Sequence, residues 1–218
     1  MGVNGRVFVS EALGTALLVA VVIGSAIMAK ALRAEPGLLL LANALATVGA
    51  LYALISILGP VSGAHMNPMV TAVMAWRGQT TWGAVPGYVA AQALGAVAGM
   101  LLAHAMFDLP LWQIATQDRS GGSRILAEGA ASFGLALVIF GGIAARANVA
   151  ALVAAYIGAA YWFTSSTSFA NPAMLLARML SDMPAGIRPA DTPGFLAAQL
   201  VGGFAAAALS GWLFAERA

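Results

Sequence analysis

Ser62-Gly63-Ala64-His65-Met66-Asn67-Pro68-Met69 and Ser168-Phe169-Ala170-Asn171-Pro172-Ala173 each place an Asn-Pro pair inside an otherwise apolar chain. Apolar runs of membrane-spanning length flank both segments. Each is followed by about ten residues without a helix breaker, too few to cross a bilayer, which takes about 20. A backbone cannot leave its hydrogen-bond ladder in hydrocarbon unless the freed groups face protein or a wet cavity. Two such breaks, in matching places in the two halves, therefore point to a solute path.

The composition sets the surroundings of these segments. Of 218 residues, 61% are hydrophobic and 8% charged, and the mean hydropathy is +0.89. A soluble domain carries about 25% charge, so the chain reads as an integral membrane protein, all-α, with no room for a large soluble domain. The 25 glycines suit membrane helices that pack through small side chains. No cysteine is present, which excludes disulfides, thiol catalysis and cysteine metal sites. With His65 and His104 the only histidines, a metal site lacks ligands, and no cofactor is expected. A net charge of +2 does not argue for nucleic acid. The apolar run after Arg6 extends to about residue 29 with no clear cleavage site, and reads as an anchor helix.

Six candidate spans follow, at roughly 7–29, 37–59, 82–107, 125–145, 149–167 and 194–215, with the longest polar stretch at mid-chain. The halves repeat. Glu11-Ala12-Leu13-Gly14 and Glu128-Gly129-Ala130-Ala131 each open an apolar helix, and Tyr88 to Gly95 is echoed by Phe195 to Gly202 around an Ala-Ala-Gln core. Three spans per half is an odd number, so the repeats, 1–107 and about 122–218, must be inverted relative to one another within one channel domain. Charge does not fix the orientation, because the usual basic excess on the cytoplasmic side is missing.

Proline suits the first turn of a helix, where its missing N–H is not needed, and asparagine is a good cap before it. Asn67-Pro68 and Asn171-Pro172 should therefore begin short helices at about 69–76 and 173–180. In an inverted repeat these enter from opposite faces and meet near the midplane. Each amino-terminal end carries roughly half a positive charge. Two such ends with two asparagine amides reject cations and orient a passing oxygen. The alternative is a pair of ordinary helix caps in loops.

Gly63-Ala64-His65-Met66-Asn67-Pro68-Met69-Val70-Thr71, Asn171-Pro172-Ala173 and the Glu and Gln helices together resemble the aquaporin family, the major intrinsic proteins. The resemblance covers nearly the whole chain. It implies a right-handed bundle of six transmembrane helices plus two re-entrant half-helices. It also implies a pore in each subunit, a homotetramer embedded in membrane lipid, and cytoplasmic termini in a cell's inner (plasma) membrane. Met69 departs from the pattern, standing where the family usually has alanine; adaptable methionine suggests local repacking over a reshaped constriction. Met174 departs further, standing where the family places the arginine of its outer constriction. By family spacing the remaining ring is Thr47, Ala159 (or the equally small Gly158) and Ser168, which predicts a wide, uncharged filter. Arg178, one turn beyond Met174, reads as a helix-end surface arginine near Asp182 or as a displaced charge at the mouth.

A charged residue in a membrane helix invites a functional reading. Symmetry favours a structural one for Glu11 and Glu128: each carboxylate accepts N–H groups from the loop before a half-helix, and Gln92 and Gln199 tie helices to the same loops. His65 reads as a hydrogen-bonded loop residue near the inner vestibule, and His104 as interfacial. Phe169 is either pore wall or packing. Ser165, Ser166 and Ser168 lack a base, so no serine nucleophile is set up, and the chain is not read as an enzyme. The expected function is a passive channel for water and small uncharged solutes, including glycerol-like ones. Relatives without the filter arginine, some beside arsenic-resistance genes, extend the implied solutes to neutral arsenic acids. The rival is a proton-coupled carrier using Glu11 or Glu128.

Overall fold

The computed structural model describes residues 4–215. These form eight α-helices: α1 (Gly5–Ala31), α2 (Pro36–Ser62), α3 (Pro68–Trp76), α4 (Val85–Met106), α5 (Gly122–Ala144), α6 (Val149–Phe163), α7 (Pro172–Met179) and α8 (Thr192–Leu213). Side-chain caps start several of them. Asn4 caps α1 and Asn148 caps α6, while Asn67 and Asn171 cap the two short helices ahead of a first-turn proline.

The contacts follow the repeat. α1 lies against α4 and α2 in the first half, as α5 lies against α8 and α6 in the second, and α2 meets α6 between the halves. The short helices α3 and α7 touch one another, and each reaches across to the other half, α3 to α8 and α7 to α4. This is the six-span, two-half-helix architecture. Five of the long helices are apolar and long enough to cross a membrane. The sixth is shorter than the run at 149–167 suggests: α6 ends at Phe163, with Thr164 extended behind it. Fifteen residues cover only about 22 Å. The last residues of that run, Thr164 to Thr167, are hydroxylic and belong to the re-entrant segment that leads into α7.

Close approach between α1 and α4, and between α5 and α8, depends on matched glycines. A Cβ on Gly95 would fall 2.2 Å from the Ala12 carbonyl oxygen, and one on Gly202 would fall 2.2 Å from the Gly129 carbonyl oxygen. Both obstacles are backbone, which cannot swing aside. These two positions match in the repeated Gln-containing helices, so the same helix-pair geometry is built twice. In Gly95→Ala and Gly202→Ala, overpacking should cost about 1–3 kcal/mol or more each. Gly37→Ala, whose added carbon meets nothing within 4 Å, should cost nothing measurable. Thermal unfolding in detergent micelles separates the two outcomes.

Candidate permeation site

The site is built from the two Asn-Pro segments outward. Asn67 Oδ1 accepts from Met69 N at 3.0 Å and Val70 N at 3.3 Å. Asn171 Oδ1 accepts from Ala173 N at 2.9 Å and Met174 N at 3.3 Å. With its oxygen committed to its own helix, each amide nitrogen reaches the other half. Asn67 Nδ2 donates to the Ala170 carbonyl at 2.7 Å, and Asn171 Nδ2 donates to the Met66 carbonyl at 2.8 Å. A primary amide has two N–H donors, so one hydrogen on each asparagine remains after this exchange. Both residues border a cavity of about 300 Å³.

The loops before the two asparagines line that cavity in left-handed backbone. Ala64 and Met66 have φ of 48° and 46°, and Ser168 and Ala170, at the matching places, have 50° and 45°. Such non-glycine conformations cost about 1–3 kcal/mol each. Two buried carboxylates hold them. Glu11 accepts from Ser62 Oγ (2.7 Å), His65 N (2.9 Å), Met66 N (2.7 Å) and Gln92 Nε2 (2.8 Å). Glu128 accepts from Phe169 N (3.2 Å), Ala170 N and Gln199 Nε2 (2.8 Å). Neither carboxylate borders the cavity. Gln92 also donates to Thr71 Oγ1 at 3.0 Å, and Thr71 donates to the Asn67 carbonyl at 3.0 Å. His65 lies on the cavity wall, its Nδ1 3.1 Å from the same Thr71 oxygen and its ring stacked on Tyr88 with centroids 4.9 Å apart. Because the Thr71 hydroxyl hydrogen goes to Asn67, Nδ1 is the donor in the His65–Thr71 contact.

Met69 is fully buried away from the cavity, over Gly203: a Cβ on that glycine would lie 2.3 Å from the methionine sulfur. The bulky residue on α3 thus fills room left by a glycine on α8. Pro68, Pro172 and Ala173 likewise lie off the cavity wall, in the first turns of α3 and α7.

Among the residues assigned to the outer ring, Thr47, Ser168 and Met174 border the cavity, and all three are buried. Ala159 does not: it faces outward on α6 and is exposed, and Gly158 is off the wall as well. The wall face of α6 is Val149, Val153, Ile157 and Tyr161, recurring every four residues. Tyr161 ends this face, and its hydroxyl lies 3.0 Å from Thr47 Oγ1, which donates to the Asn43 carbonyl at 2.8 Å. Counting back from Asn171 by family spacing missed it because that spacing assumes more chain between helix and asparagine. The four-residue apolar period of α6, ending in an aromatic, was the available signal.

The surface reading of Arg178 is also corrected. It is 2% exposed, borders the cavity, and lies with its guanidinium carbon 3.5 Å from the Phe169 ring centroid. Its Nε donates to the Ala185 carbonyl. Asp182 is engaged elsewhere: Thr116 donates to it through N at 2.9 Å and Oγ1 at 2.8 Å, and these bonds hold its carboxyl below the usual range. The burial of Arg178 comes from the segment after α7, which folds back over it (Ile187 N to Arg178 O, 3.2 Å). His104 lies late in α4. It is fully buried, and its ring joins the Leu111 carbonyl (2.8 Å) to Ser181 Oγ (2.9 Å), tying the mid-chain loop to the end of α7. Arg119, in that loop, covers the other side of the site. Its Nε donates to Gly186 O at 2.6 Å and one Nη to Pro184 O at 3.1 Å, and its guanidinium carbon is 5.1 Å from the Phe169 centroid. Burial lowers the Arg119 guanidinium to about 10, with Arg124 adding to the effect, so it stays charged at neutral pH.

Residues 3–180 match the family model described as major intrinsic protein. The chain belongs to that family. It is 53% identical over 206 residues to the aquaglyceroporin AqpS of Rhizobium meliloti, covering 94% of this chain and 88% of the relative. A probable glycerol uptake facilitator protein of Thermotoga maritima is 35% identical over 112 residues, covering 49% of this chain and 46% of that protein. Among solved structures, the aquaglyceroporin of Plasmodium falciparum superposes with a TM-score of 0.76 over 97% of this chain and 96% of its own, at 18% identity, and shows the same fold. With its apolar helices, this family member is a multi-pass membrane protein.

The carboxylates give a direct test of the site's construction. Glutamine keeps the shape of Glu11 but turns one acceptor atom into a donor, which leaves about two loop or hydroxyl donors unpaired at about 1–3 kcal/mol each. Glu11→Gln and Glu128→Gln should both lower the unfolding temperature in detergent. Full stability of either variant would show that the loops do not depend on these groups.

Proposed function

We propose that this chain is a passive channel for water and small uncharged solutes, glycerol-sized ones included, with the whole chain acting as one channel domain. The observation that carries the reading is the crossed pair of asparagine amides bordering the cavity at the meeting point of two helix amino termini. A neutral hydroxylic solute exchanges water for loop carbonyls and asparagine N–H groups as it passes. A cation loses its hydration and meets two positive helix ends. The names of the relatives, aquaglyceroporin and probable glycerol uptake facilitator, support the same solute class.

Selection by size falls, in this reading, to a ring of Thr47, Tyr161, Ser168 and Met174. The methionine at position 174 leaves room that an arginine would occupy, so neutral arsenic acids belong with glycerol among the solutes to be tested. The protein acts as a homotetramer in the inner (plasma) membrane with cytoplasmic termini, and carries out no catalysis. The carrier alternative loses its support because Glu11 and Glu128 lie off the cavity and their oxygens are taken up by loop N–H groups and side chains.

Proteoliposome swelling tests the proposal. Water, glycerol, urea and arsenous acid should all enter faster than into protein-free vesicles, with flux linear in the solute gradient and indifferent to a pH gradient. Saturation together with pH-gradient dependence would establish the carrier instead. Met174→Arg should slow glycerol at least about tenfold, the effect of about 1.4 kcal/mol on a barrier, while water is slowed less. An unchanged ratio of glycerol to water would remove Met174 from the filter.

A further inference from the structure

Among the described residues, Arg178 is the one permanently charged side chain on the cavity wall, and it has no counter-ion. Among the described residues, no carboxylate lies within ion-pair distance of Arg178 or Arg119, although three ion pairs occur in the loops nearby, joining Asp118 and Asp191 to Arg124 and Arg188. Asp191 accepts from the Arg119 backbone N at 2.7 Å and pairs through its carboxylate with Arg188. Glu128 is committed to the loop before Asn171 and to Gln199.

The two guanidiniums differ in what they have left to give. Arg119 is fixed by carbonyls through all three nitrogens, to Gly186, Pro184 and Ser166. Arg178 spends only Nε, on Ala185. Its two terminal amino groups make no hydrogen bond with the described residues and are not sealed from solvent, and the residue borders the cavity. Phe169 lies against both guanidinium carbons and packs edge-on to Phe195 with centroids 5.4 Å apart. This locks the plane of Arg178 in place. A buried guanidinium with free parallel donors and no counter-ion matches a carboxylate or similar small oxyanion in charge and geometry.

We propose that the outer end of the cavity holds a binding site for a small oxyanion of carboxylate size, which pairs with the terminal amino groups of Arg178 within the added positive field of Arg119. The site rests on reading the cavity as the permeation path, and there it has a consequence. A small oxyanion occupies the throat and slows neutral solutes, so flux responds to the anion composition of the medium. The site takes over, one helical turn further along α7, the positive charge that position 174 does not supply.

Formate is the probe, present at equal concentration on both sides of proteoliposomes so that its own movement creates no osmotic gradient. Gluconate, too large to enter the throat, serves as the control at matched ionic strength. Glycerol swelling should fall saturably, at least about twofold, as formate replaces gluconate. Arg178→Gln should abolish the response, because the charged fork is gone. Arg178→Lys keeps the charge without the fork and should raise the formate midpoint about tenfold, the loss of one charge-assisted hydrogen bond. Arg119→Gln should raise it by a smaller factor. If Arg178→Gln fails to give monodisperse protein, the lysine variant decides, and an unchanged midpoint there overturns the site. Equal effects of formate and gluconate on the native protein, or an undiminished response in Arg178→Gln, overturn it as well. Line broadening of ¹³C-formate by detergent-solubilised protein reads binding without flux. Swelling in gluconate no faster than in empty vesicles would refute the channel, whereas absence of broadening would refute the site alone.

Discussion

The reciprocal bonding of Asn67 to the Ala170 carbonyl and of Asn171 to the Met66 carbonyl joins the two halves at their centre. Each asparagine closes its own helix with its oxygen and reaches the opposite loop with its nitrogen. The two helix ends are therefore fixed at hydrogen-bond range although both are electropositive and repel one another. Neither half could hold its short helix at this depth alone. The loop carbonyls that accept the amides exist in usable form only because the chain takes left-handed backbone at Met66 and Ala170. Those conformations in turn depend on Glu11 and Glu128 gathering the adjacent N–H groups.

This chain of dependence explains the placement of the carboxylates. A charge buried in a membrane helix is costly unless it is paired or fully hydrogen-bonded. Four donors surround Glu11, and three are recorded around Glu128. The same donors are those a re-entrant loop would otherwise leave unsatisfied, so two liabilities cancel. The carboxylates lie off the cavity wall and take up loop N–H groups, while residues of both loops border the cavity. Positive groups then dominate the path itself: two helix ends, two amides and the Arg178 guanidinium.

The upper part of the cavity depends on a second assembly. The mid-chain loop and the segment after α7 are tied together by His104, Ser181, Thr116 and Asp182. Together they cover Arg178 and bring Arg119 to the far side of Phe169. An arginine that would otherwise sit at an exposed helix end becomes part of the cavity wall. Met174 and Arg178 both border the cavity, so on the proposed reading the wall regains from Arg178 a positive charge that position 174 does not supply.

The spans, the two short helices and the placement of residues near the asparagines were legible in the sequence, because they rest on local rules. Hydrophobic length, capping chemistry and an odd number of spans per half need no knowledge of distant contacts. Residues tied to Asn67 and Asn171 by a few bonds of backbone could be placed from those anchors. What the sequence could not decide was which side of a helix faces the cavity once the anchor is separated from it by an irregular connection. Ala159 lies off the wall and Tyr161 on it, because a re-entrant segment two residues shorter than the family spacing shifts the wall face of α6 by about half a turn. The burial of Arg178 and the partners of His104 come from loops that fold over them, and only the tertiary structure determines where such loops come to rest.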